Sequence, residues 1–536
     1  MTKAPLNPVT HHKKPIAIPI PPKICYLGKP DSLVDPLPPE NARVSTPASA
    51  MRHYQEATRL LAHNDPQRAE AAYRQALRED PGLVPALNDL GLLLKKQQRF
   101  AEAETLLTRA NHLLPGHPMI LTNLGNLYND WQRWDEAMRI YAEQLRLTPD
   151  HVEARYNLAL ALHRQHRDTE AETAYLDVLR RHPDHGEALL NLGVLRHQRQ
   201  AFQEAEAAYR RAGTLLPDHP DLAWNLALLL LAQGRFAEGW PLHEARHHPG
   251  KRQRTAIPIR APFPKWQGEK IAGRSLLIVT EQGFGDQIQF CRYLPLLAAM
   301  GASRVTLLAP APLLPLFATL DGVDLLLDKE APVPVHDFWT FPLSLPWHLG
   351  TTPQTIPAAL PYLHATGERL ARWRQVLAGL PGLRVGLVWR GDPRHPQDHH
   401  RSLPNPAILH PLWEVPGVSF VSLQKEETPP FPPDRPLLQP GEALRDFADT
   451  AAIVSLLDLV ITIDSAVAHL AGALQRPCWV MLPAHGCDWR WMLAPDHSPW
   501  YPEVMRLWRQ STPGDWGEPV SRITRALRQL AATAAR

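Results

Sequence analysis

The chain has 536 residues, more than the roughly 100–200 of one domain, so several domains are expected. Its 57 Lys and Arg nearly balance its 54 Asp and Glu, and a net charge of +3 gives no indication of a nucleic-acid partner. Four cysteines without paired spacing exclude a disulfide scaffold, and no apolar run approaches the about 20 residues of an integral membrane segment. The start of the chain lacks the apolar core of a secretory signal, so we expect a cytoplasmic protein.

Prolines make up 56 of the 536 residues, about twice the usual share of about 5%. Many of them fall in residues 1–48, between short polar and apolar stretches without helical or strand periodicity. This composition predicts a disordered or extended tail over 1–48.

The next part of the chain repeats. Five prolines stand 34 residues apart, at Pro81, Pro115, Pro149, Pro183 and Pro217. Small residues recur in the same period at Ala69, Ala103, Ala137, Ala171 and Ala205, and Leu-Gly or Leu-Ala pairs accompany them. This order resembles the tetratricopeptide repeat, in which each unit is a pair of antiparallel helices. The period predicts an α-solenoid over 50–247, with five full units and a sixth, incomplete one.

One polar position shares this period. It holds Asp89, Asn123, Asn157, Asn191 and Asn225. An amide side chain both donates and accepts, so these residues either bond neighbouring helices or contact the backbone of a peptide in the solenoid groove. We assign the four asparagines to acceptor binding as a hypothesis and keep the structural interpretation open.

From Gly268 the pattern alternates between apolar strands and helices. Strands are predicted at "RSLLIVT", "RVTLLA" and "VDLLL", and again at "LRVGLVW", "VSFVSLQ", "DLVITID" and "CWVMLP". Helices are predicted over 286–300, at "LLPLFATL", and over 368–380, 406–414, 448–456, 465–474 and about 518–534. The alternation predicts two parallel-sheet, Rossmann-like domains, 248–370 and 371–536, with a last helix that can pack back on the first domain.

The loop "EQGFGDQIQ" follows the first of these strands. Gly283 and Gly285 lack the third glycine of a dinucleotide fingerprint, and no acid ends the next strand, so a nicotinamide site is not expected. The turn delivers Asp286 to a helix start, where it either caps the helix or takes a proton from an attacking hydroxyl. Gln282 and Gly283 beside it are assigned to the acceptor.

A second loop, "DSAVAHLAGAL", ends a strand at Asp464 and opens a helix at Ser465. The hydroxyl and the first free N–H groups of that helix suit a phosphate, and His469 lies one turn on, on the same face. A simple helix cap at Asp464-Ser465 and a packed His469 are the alternatives.

A third loop, "GLVWRGDPRHPQDHHRSLP", is rich in cations. Arg390, Arg394 and Arg401 suit a diphosphate, although a solvated basic loop explains them as well. The donor assignment also includes Trp389, Gly391 and Ser402, together with Gln424 and Lys425 at the next strand end. The sequence has no D-x-D motif that would bridge a metal to a diphosphate, so we expect no metal, and we expect no bound cofactor. The absence of P-loop and G-x-S-x-G motifs argues against a P-loop protein and an α/β-hydrolase.

Together these loops resemble the family 9 glycosyltransferases, whose best-known members are the bacterial heptosyltransferases. The resemblance covers about 268–515 and rests on "EQGFGDQIQFCRYLPLL", "GLVWRGDPRH…RSLP", "FVSLQK", "DSAVAHLAGALQRPCWVMLP" and "GCDWRWMLAPDHSPWYP". The arrangement is also similar to the O-linked N-acetylglucosamine transferases, in which tetratricopeptide repeats precede a transferase of the GT-B fold.

The resemblance implies a GT-B fold of two Rossmann-like domains and a metal-independent hexosyl, heptosyl or N-acetylglucosaminyl transferase. It implies Asp286 as general base, donor binding by Asp464, Ser465 and His469, and a diphosphate contact by Arg401. A nucleotide-sugar is then the co-substrate, and a protein in the solenoid groove is a possible acceptor. The alternative hypothesis is a tetratricopeptide adaptor with a degenerate, non-catalytic transferase domain.

Overall fold

The structure is a computed structural model that describes residues 47–248, 261–395, 398–425, 437–493 and 496–534. All but the last two residues of the tail predicted over 1–48 lie outside these residues. The described residues up to Leu93 form one compact unit and those from Leu94 onward form another, and the division falls inside the third helix.

The described chain begins with twelve α-helices. The first ten correspond to the five full units that the 34-residue period predicts, and the last two form the sixth unit, which was predicted to be incomplete. The helices are α1 Pro47–Ala62, α2 Pro66–Glu79, α3 Val84–Lys96, α4 Phe100–Leu113, α5 Pro118–Asp130, α6 Trp134–Leu147, α7 Val152–Arg164, α8 Asp168–Arg181, α9 Gly186–Gln198, α10 Phe202–Leu215, α11 Pro220–Ala232 and α12 Phe236–His243. A 3₁₀ turn, Glu244–His247, follows α12.

The repeated small and aromatic residues hold the paired helices together. In the unit formed by α9 and α10, Gly193 faces the buried ring of Tyr209, and a Cβ on this glycine would lie 2.6 Å from Tyr209 Cδ1. The turn between the two helices of a unit contains a residue with positive φ, at Gln98, Gln132, His166, Gln200 and Gly234. The common spacing of these residues shows that each unit repeats the same backbone geometry.

The first sheet region follows the solenoid. Its elements are β1 Ser275–Val279, α13 Phe284–Phe290, α14 Leu294–Ala299, β2 Arg304–Ala309, α15 Leu314–Phe317, β3 Leu325–Asp328, β4 Phe338–Thr340 and α16 Leu345–His348. The strands are parallel in the order β3-β2-β1-β4. Side chains of β1 alternate between two apolar clusters, so both faces of this sheet are covered.

The helix α17 Gly367–Leu377 leads into the second sheet region. Its elements are β5 Leu383–Val388, α18 Asp398–Arg401, α19 His410–Trp413, β6 Val418–Ser422, β7 Leu437–Leu438, α20 Phe447–Ser455, β8 Leu459–Ile463, α21 Ala466–Ala473, β9 Cys478–Leu482, β10 Met505–Arg509 and α22 Gly517–Ala534. The parallel order is β10-β9-β8-β5-β6-β7. The last helix packs beside α19 in the same region, where Arg528 Nη2 lies 3.5 Å from Glu414 Oε2.

Three predicted helices are shorter or interrupted, and each contains proline. The helix predicted over 286–300 begins at Phe284 and breaks into α13, a 3₁₀ turn and α14, which carries Pro295 in its first turn. The helix predicted over 406–414 begins as a 3₁₀ turn before α19, and the predicted "LLPLFATL" helix reduces to α15 after another such turn. A proline lacks the N–H that a continuous helix needs, which explains these breaks.

One apolar core continues from the last solenoid unit through both sheet regions. It includes Leu231, Phe236 and Trp240 of α11 and α12, and it extends to Leu527 of α22. The sixth repeat unit is therefore part of the folded body of the sheets.

Replacing Gly193 by Ala should lower the free energy of unfolding by about 1–3 kcal/mol, because the new methyl group overlaps the Tyr209 ring. Gly213→Ala in α10 is the matched control, since its Cβ would meet only Leu222 Cδ2 at 3.7 Å. That change should be neutral or stabilise by up to about 1 kcal/mol through helix propensity. Equal effects of the two changes in urea unfolding would contradict the assigned packing.

Candidate functional site

The three loops singled out in the sequence follow β1, β5 and β8. At these strands the chain changes from building one side of its sheet to building the other. In the first sheet β1 lies between β2 and β4, and in the second sheet β5 and β8 are adjacent while their successors lie on opposite sides. Crevices outside the carboxyl ends of such strands are the usual ligand sites of parallel sheets. The loops beginning at Thr280, Trp389 and Asp464 all start there.

The two sheet regions meet where α13 crosses α21. A Cβ on Gly285 would lie 2.9 Å from His469 Cδ2 and 3.3 Å from Ala466 Cα, so only glycine fits this approach without a shift. The crossing brings the loop that carries Asp286 to the start of the helix after Ser465. These two predicted loops therefore belong to one junction.

Both carboxylate oxygens of Asp286 have partners. Oδ2 accepts a 2.9 Å hydrogen bond from the Gly283 N–H, which is the helix-cap geometry that the sequence left as an alternative. Oδ1 accepts from Arg490 Nη2 in an ion pair across the junction. Asp286 thus caps α13 and also connects the two sheet regions.

Arg490 is the central cation of this junction. Its Nη1 donates to both oxygens of Asp488 at 2.9 Å, and its guanidinium lies 4.6 Å from the Trp489 ring centroid. Its side chain is only 7% exposed. Burial alone would lower the pKa of Arg490, but Asp488 and Asp286 raise it above its usual value, so the cation persists.

Asp464 lies near the same charges at the end of β8. Burial and the neighbouring Asp488 carboxylate raise the pKa of Asp464 to about 7, and Arg401 opposes this shift. We call Asp286, Asp464, Asp488, Arg490 and Arg401 the charged junction. It contains three carboxyl groups and two guanidinium groups.

Ser465 and His469 have structural partners. The Ser465 hydroxyl lies 2.9 Å from Thr462 Oγ1 and does not cap α21. His469 Nδ1 lies 3.1 Å from the Tyr501 hydroxyl, and its ring stacks on Trp491 at 5.2 Å. Burial, followed by Arg490, lowers the pKa of His469 to about 3, so the ring is neutral. His469 is therefore packed among aromatic side chains, in agreement with the alternative that it is a packed histidine.

The cation-rich loop is held by its own polar residues. The Gly391 N–H donates to Ser402 Oγ at 2.8 Å, and Ser402 Oγ donates to Asp398 Oδ1 at 2.7 Å. A Cβ on Gly391 would lie 3.1 Å from Arg401 Nε, so this glycine allows Arg401 to approach the backbone. Arg394 instead pairs with Asp392 and is 89% exposed, as expected for a solvated loop.

Gln424 connects the ends of β5 and β6. Its Oε1 accepts from the backbone N–H groups of Trp389 and Arg390 at 3.1 and 3.0 Å. The side chains of Arg390 and Lys425 are exposed, and Trp389 is buried. Gln282 adopts a positive φ of 59° before α13, and its backbone oxygen accepts from Gln287.

The repeated asparagines lie on the first helices of the solenoid units. Asn157 Nδ2 donates to Asn126 Oδ1 at 3.0 Å, and Asn191 Nδ2 donates to the Tyr156 hydroxyl at 2.8 Å. Each bond joins one unit to the preceding one, in agreement with the interpretation that these asparagines bond neighbouring helices. Asn123 and Asn225 occupy the equivalent half-buried positions.

A buried charge network connects the end of the solenoid to the Asp286 loop. Arg246, in the 3₁₀ turn after α12, donates to Glu281 Oε1 at 2.8 Å and to Ser344 Oγ at 2.7 Å. Ser344 Oγ donates to Glu244 Oε1, which also pairs with Arg246. Burial would raise the pKa of Glu244, but Arg246 and Lys265 lower it to about 2.

The end of the solenoid also contacts the loop that carries Arg490. The Leu493 N–H donates to the Ala232 carbonyl at 3.1 Å, and the rings of Trp489 and Trp240 meet edge to face at 5.3 Å. One unit earlier, the Gln200 side chain donates to the Ala484 carbonyl. The terminal solenoid units thus support two loops of the charged junction, the one that carries Asp286 and the one that carries Arg490.

Sequence reasoning missed Arg490, Asp488, Asp398 and the Arg246–Glu281 pair. A signal for the first two is present in "GCDWRWML", where an acid and an arginine alternate with two tryptophans after a buried strand. Such charges enter an apolar surrounding only as a pair. The Arg246–Glu281 pair had no signal, because its members belong to different predicted domains.

Comparison with known proteins confirms the repeats. Two family models described as tetratricopeptide repeat match the chain, one over residues 60–124 and the other over 122–179 and 169–215. Residues 60–215 therefore consist of tetratricopeptide repeats, which supports a protein-binding or scaffold role.

A curated relative is Protein FlbA of Caulobacter vibrioides, 30% identical over a match that covers 57% of this chain and 54% of that protein. The chain thus spans about half the length of this relative. Similar solved structures include a tetratricopeptide repeat protein from Parabacteroides merdae (22% identity, 37% of this chain, 78% of that one, TM-score 0.34). Another is the tetratricopeptide protein YrrB, with 22% identity, 32% of this chain and 88% of that one covered, and a TM-score of 0.28. A third is Pseudomonas aeruginosa PilF, with 17% identity, 38% of this chain and 93% of that one covered, and a TM-score of 0.32.

Among the described residues, none of the helices has the length and apolar character that crossing a membrane requires.

Replacing Asp464 by Asn should flatten the pH dependence of stability. A carboxyl group with a raised pKa stabilises the fold while it is protonated, and this stability is lost as pH rises through about 7. Between about pH 5 and about pH 8 the wild-type unfolding temperature should therefore fall relative to that of Asp464→Asn. Asp184→Asn, which alters a solenoid acid with a side chain 83% exposed, should parallel the wild type. Parallel curves for all three proteins would contradict the raised pKa.

Proposed function

We propose that the chain is a metal-independent glycosyltransferase of the GT-B fold that uses a nucleotide-sugar donor. The observation that carries this proposal is the α13–α21 crossing, which brings Asp286 of the first sheet region to the loop of Asp464 and Ser465 in the second. The parallel sheets and the reversal of strand order at both loops support it.

In the proposed reaction an acceptor hydroxyl attacks the anomeric carbon of the donor sugar. The new glycosidic C–O bond forms as the bond from that carbon to the phosphate oxygen breaks, and the nucleoside diphosphate leaves with the bonding electrons. Asp286 takes the hydroxyl proton. Arg401 and the N–H groups at the start of α21 stabilise the leaving diphosphate, whose negative charge increases in the transition state.

We further propose that the acceptor is a protein bound by the repeats. Tetratricopeptide repeats bind peptide or protein partners, and the last unit of this solenoid contacts the loops of the charged junction. A polypeptide bound along the solenoid units after Leu94 would therefore lie on the same compact unit as Asp286. The proposal of a protein acceptor is argued from the position of the repeats beside the charged junction and not from a contact with an acceptor.

A second candidate function is a non-catalytic scaffold with a degenerate transferase domain. The engagement of both Asp286 oxygens favours it, because an acceptor hydroxyl would have to compete with the Gly283 N–H and the Arg490 guanidinium for this carboxylate. In this case the repeats act as the functional surface and the charged junction only stabilises the fold.

A panel of uridine, guanosine and adenosine diphosphate sugars should separate the two candidates. For the transferase, one donor should raise the unfolding temperature and be consumed slowly by hydrolysis or transfer. Asp286→Asn should then reduce turnover by about 10²–10⁴-fold, because a general base is lost, while donor binding persists. Turnover is measured by release of the nucleoside diphosphate.

Asp328→Asn is the matched control, since Asp328 also ends a strand of the first sheet, two strands away from β1. It should leave turnover within about twofold of the wild type. Unchanged turnover in Asp286→Asn would show that this carboxylate is not the base. No binding of any donor would favour the scaffold.

The role of the repeats must be tested with point substitutions. Deletion of 50–247 would remove Phe236 and Trp240 from the shared apolar core and Arg246 from the buried charge network. If the asparagines contact an acceptor, Asn157→Ala combined with Asn225→Ala should lower transfer to a protein acceptor at least about tenfold. Donor hydrolysis should stay unchanged. If these amides only join units, the unfolding temperature should fall while transfer by the folded protein is unaffected.

A further inference from the structure

Arg490 is shared between two carboxylates that have different origins. Asp488 lies two residues before it and belongs to the same 3₁₀ turn, whereas Asp286 comes from the other sheet region, 204 residues away. Within the described part of the chain, Arg490 Nε is buried and has no hydrogen-bond partner. The guanidinium therefore has one fixed acid, one acid from across the junction and an unused N–H.

The present pairing of Asp286 with Arg490 competes with the proposed role of Asp286 as a base. A general base must offer a carboxylate oxygen to the proton that it removes. Oδ2 of Asp286 caps the helix through the Gly283 N–H, so Oδ1 is the oxygen that can be freed without disturbing α13. Only the contact from Arg490 Nη2 must be given up.

We propose that Arg490 is a donor-contacting residue that exchanges the Asp286 carboxylate for the diphosphate of the nucleotide-sugar. Donor binding then releases Asp286 Oδ1 for the acceptor hydroxyl. This inference rests on the proposed function, which it deepens by naming a diphosphate contact and a reason for ordered binding.

The chemistry of the junction favours a diphosphate as the entering group. A guanidinium binds phosphate oxygens through paired N–H groups, and Nη2 with the unused Nε forms such a pair on one edge. Asp488 holds Nη1 through two contacts of 2.9 Å, so the guanidinium stays anchored while its other edge changes partner. The contact between Gly285 and Ala466 places this region beside the first residue of α21.

A double-mutant cycle on binding tests the exchange. The full chain and its Asp286→Asn, Arg490→Gln and doubly substituted variants are titrated calorimetrically with uridine, guanosine and adenosine diphosphate. Asp286→Asn removes the competitor, so it should tighten the best-bound diphosphate about tenfold, and Arg490→Gln should weaken it about tenfold. In the Arg490→Gln background, Asp286→Asn should change the affinity by less than about twofold.

Two controls support the interpretation. Asp177→Asn removes an acid from an ion pair of similar exposure in the solenoid, where Arg155 Nη1 lies 2.6 Å from Asp177 Oδ2, and it should leave diphosphate affinity unchanged. If circular dichroism shows that Arg490→Gln does not fold, Arg490→Lys replaces it in the cycle. Lysine keeps the charge but lacks the paired N–H groups. Arg490→Lys should therefore weaken diphosphate binding, but by less than Arg490→Gln.

The outcomes separate this inference from the proposed function. If Asp286→Asn tightens binding equally in both backgrounds, only long-range charge is involved and the exchange is wrong, while the transferase proposal stands. If the cycle shows coupling but no sugar donor is turned over, the exchange stands and the transferase proposal fails. If no diphosphate binds to the wild type, both are overturned.

Discussion

The arrangement of the sheet regions depends on one close approach, the crossing of α13 over α21 at Gly285. A side chain here would meet His469 and the Ala466 backbone and push the two regions apart. Other contacts support the crossing: the Tyr362 N–H donates to the Ala473 carbonyl at 3.1 Å, and the buried Arg292 donates to the Trp500 carbonyl at 2.7 Å. Because these contacts are buried, the regions meet in a defined register, and Asp286 and Arg490 come within ion-pair distance.

The second determinant is the buried charge network around Arg246. An arginine without solvent is tolerated only when its charge and its N–H groups are satisfied, and Glu281, Glu244 and Ser344 together do this. Removal of any one partner would leave a buried polar group uncompensated. The network therefore fixes the solenoid end relative to the Glu281–Asp286 loop, while Trp240 and Ala232 fix the loop of Arg490.

The sequence was informative wherever a pattern is periodic or a strand is fully apolar. The proline period predicts the paired helices of the five full solenoid units, and "RVTLLA" predicts β2 without error. β4 was missed because its three residues stand between prolines, and β10 because arginines alternate with its apolar residues. The placement of Asp286 at a helix start was predictable, but its partner Arg490 was not, since their pairing results from tertiary packing 204 residues apart. GT-B topology and the donor assignments remain predictions.

The common turn geometry at Gln98, Gln132 and His166 bears on how such a chain varies in length during evolution. Units with identical turns contact mainly their neighbours, so whole units of 34 residues can be duplicated or lost with little effect elsewhere. The terminal units are different, because Gln200, Trp240 and Arg246 contact the sheet regions. Gain and loss of repeats should therefore concentrate upstream of Gln200, which changes the span of the array while the junction with the sheets is inherited intact.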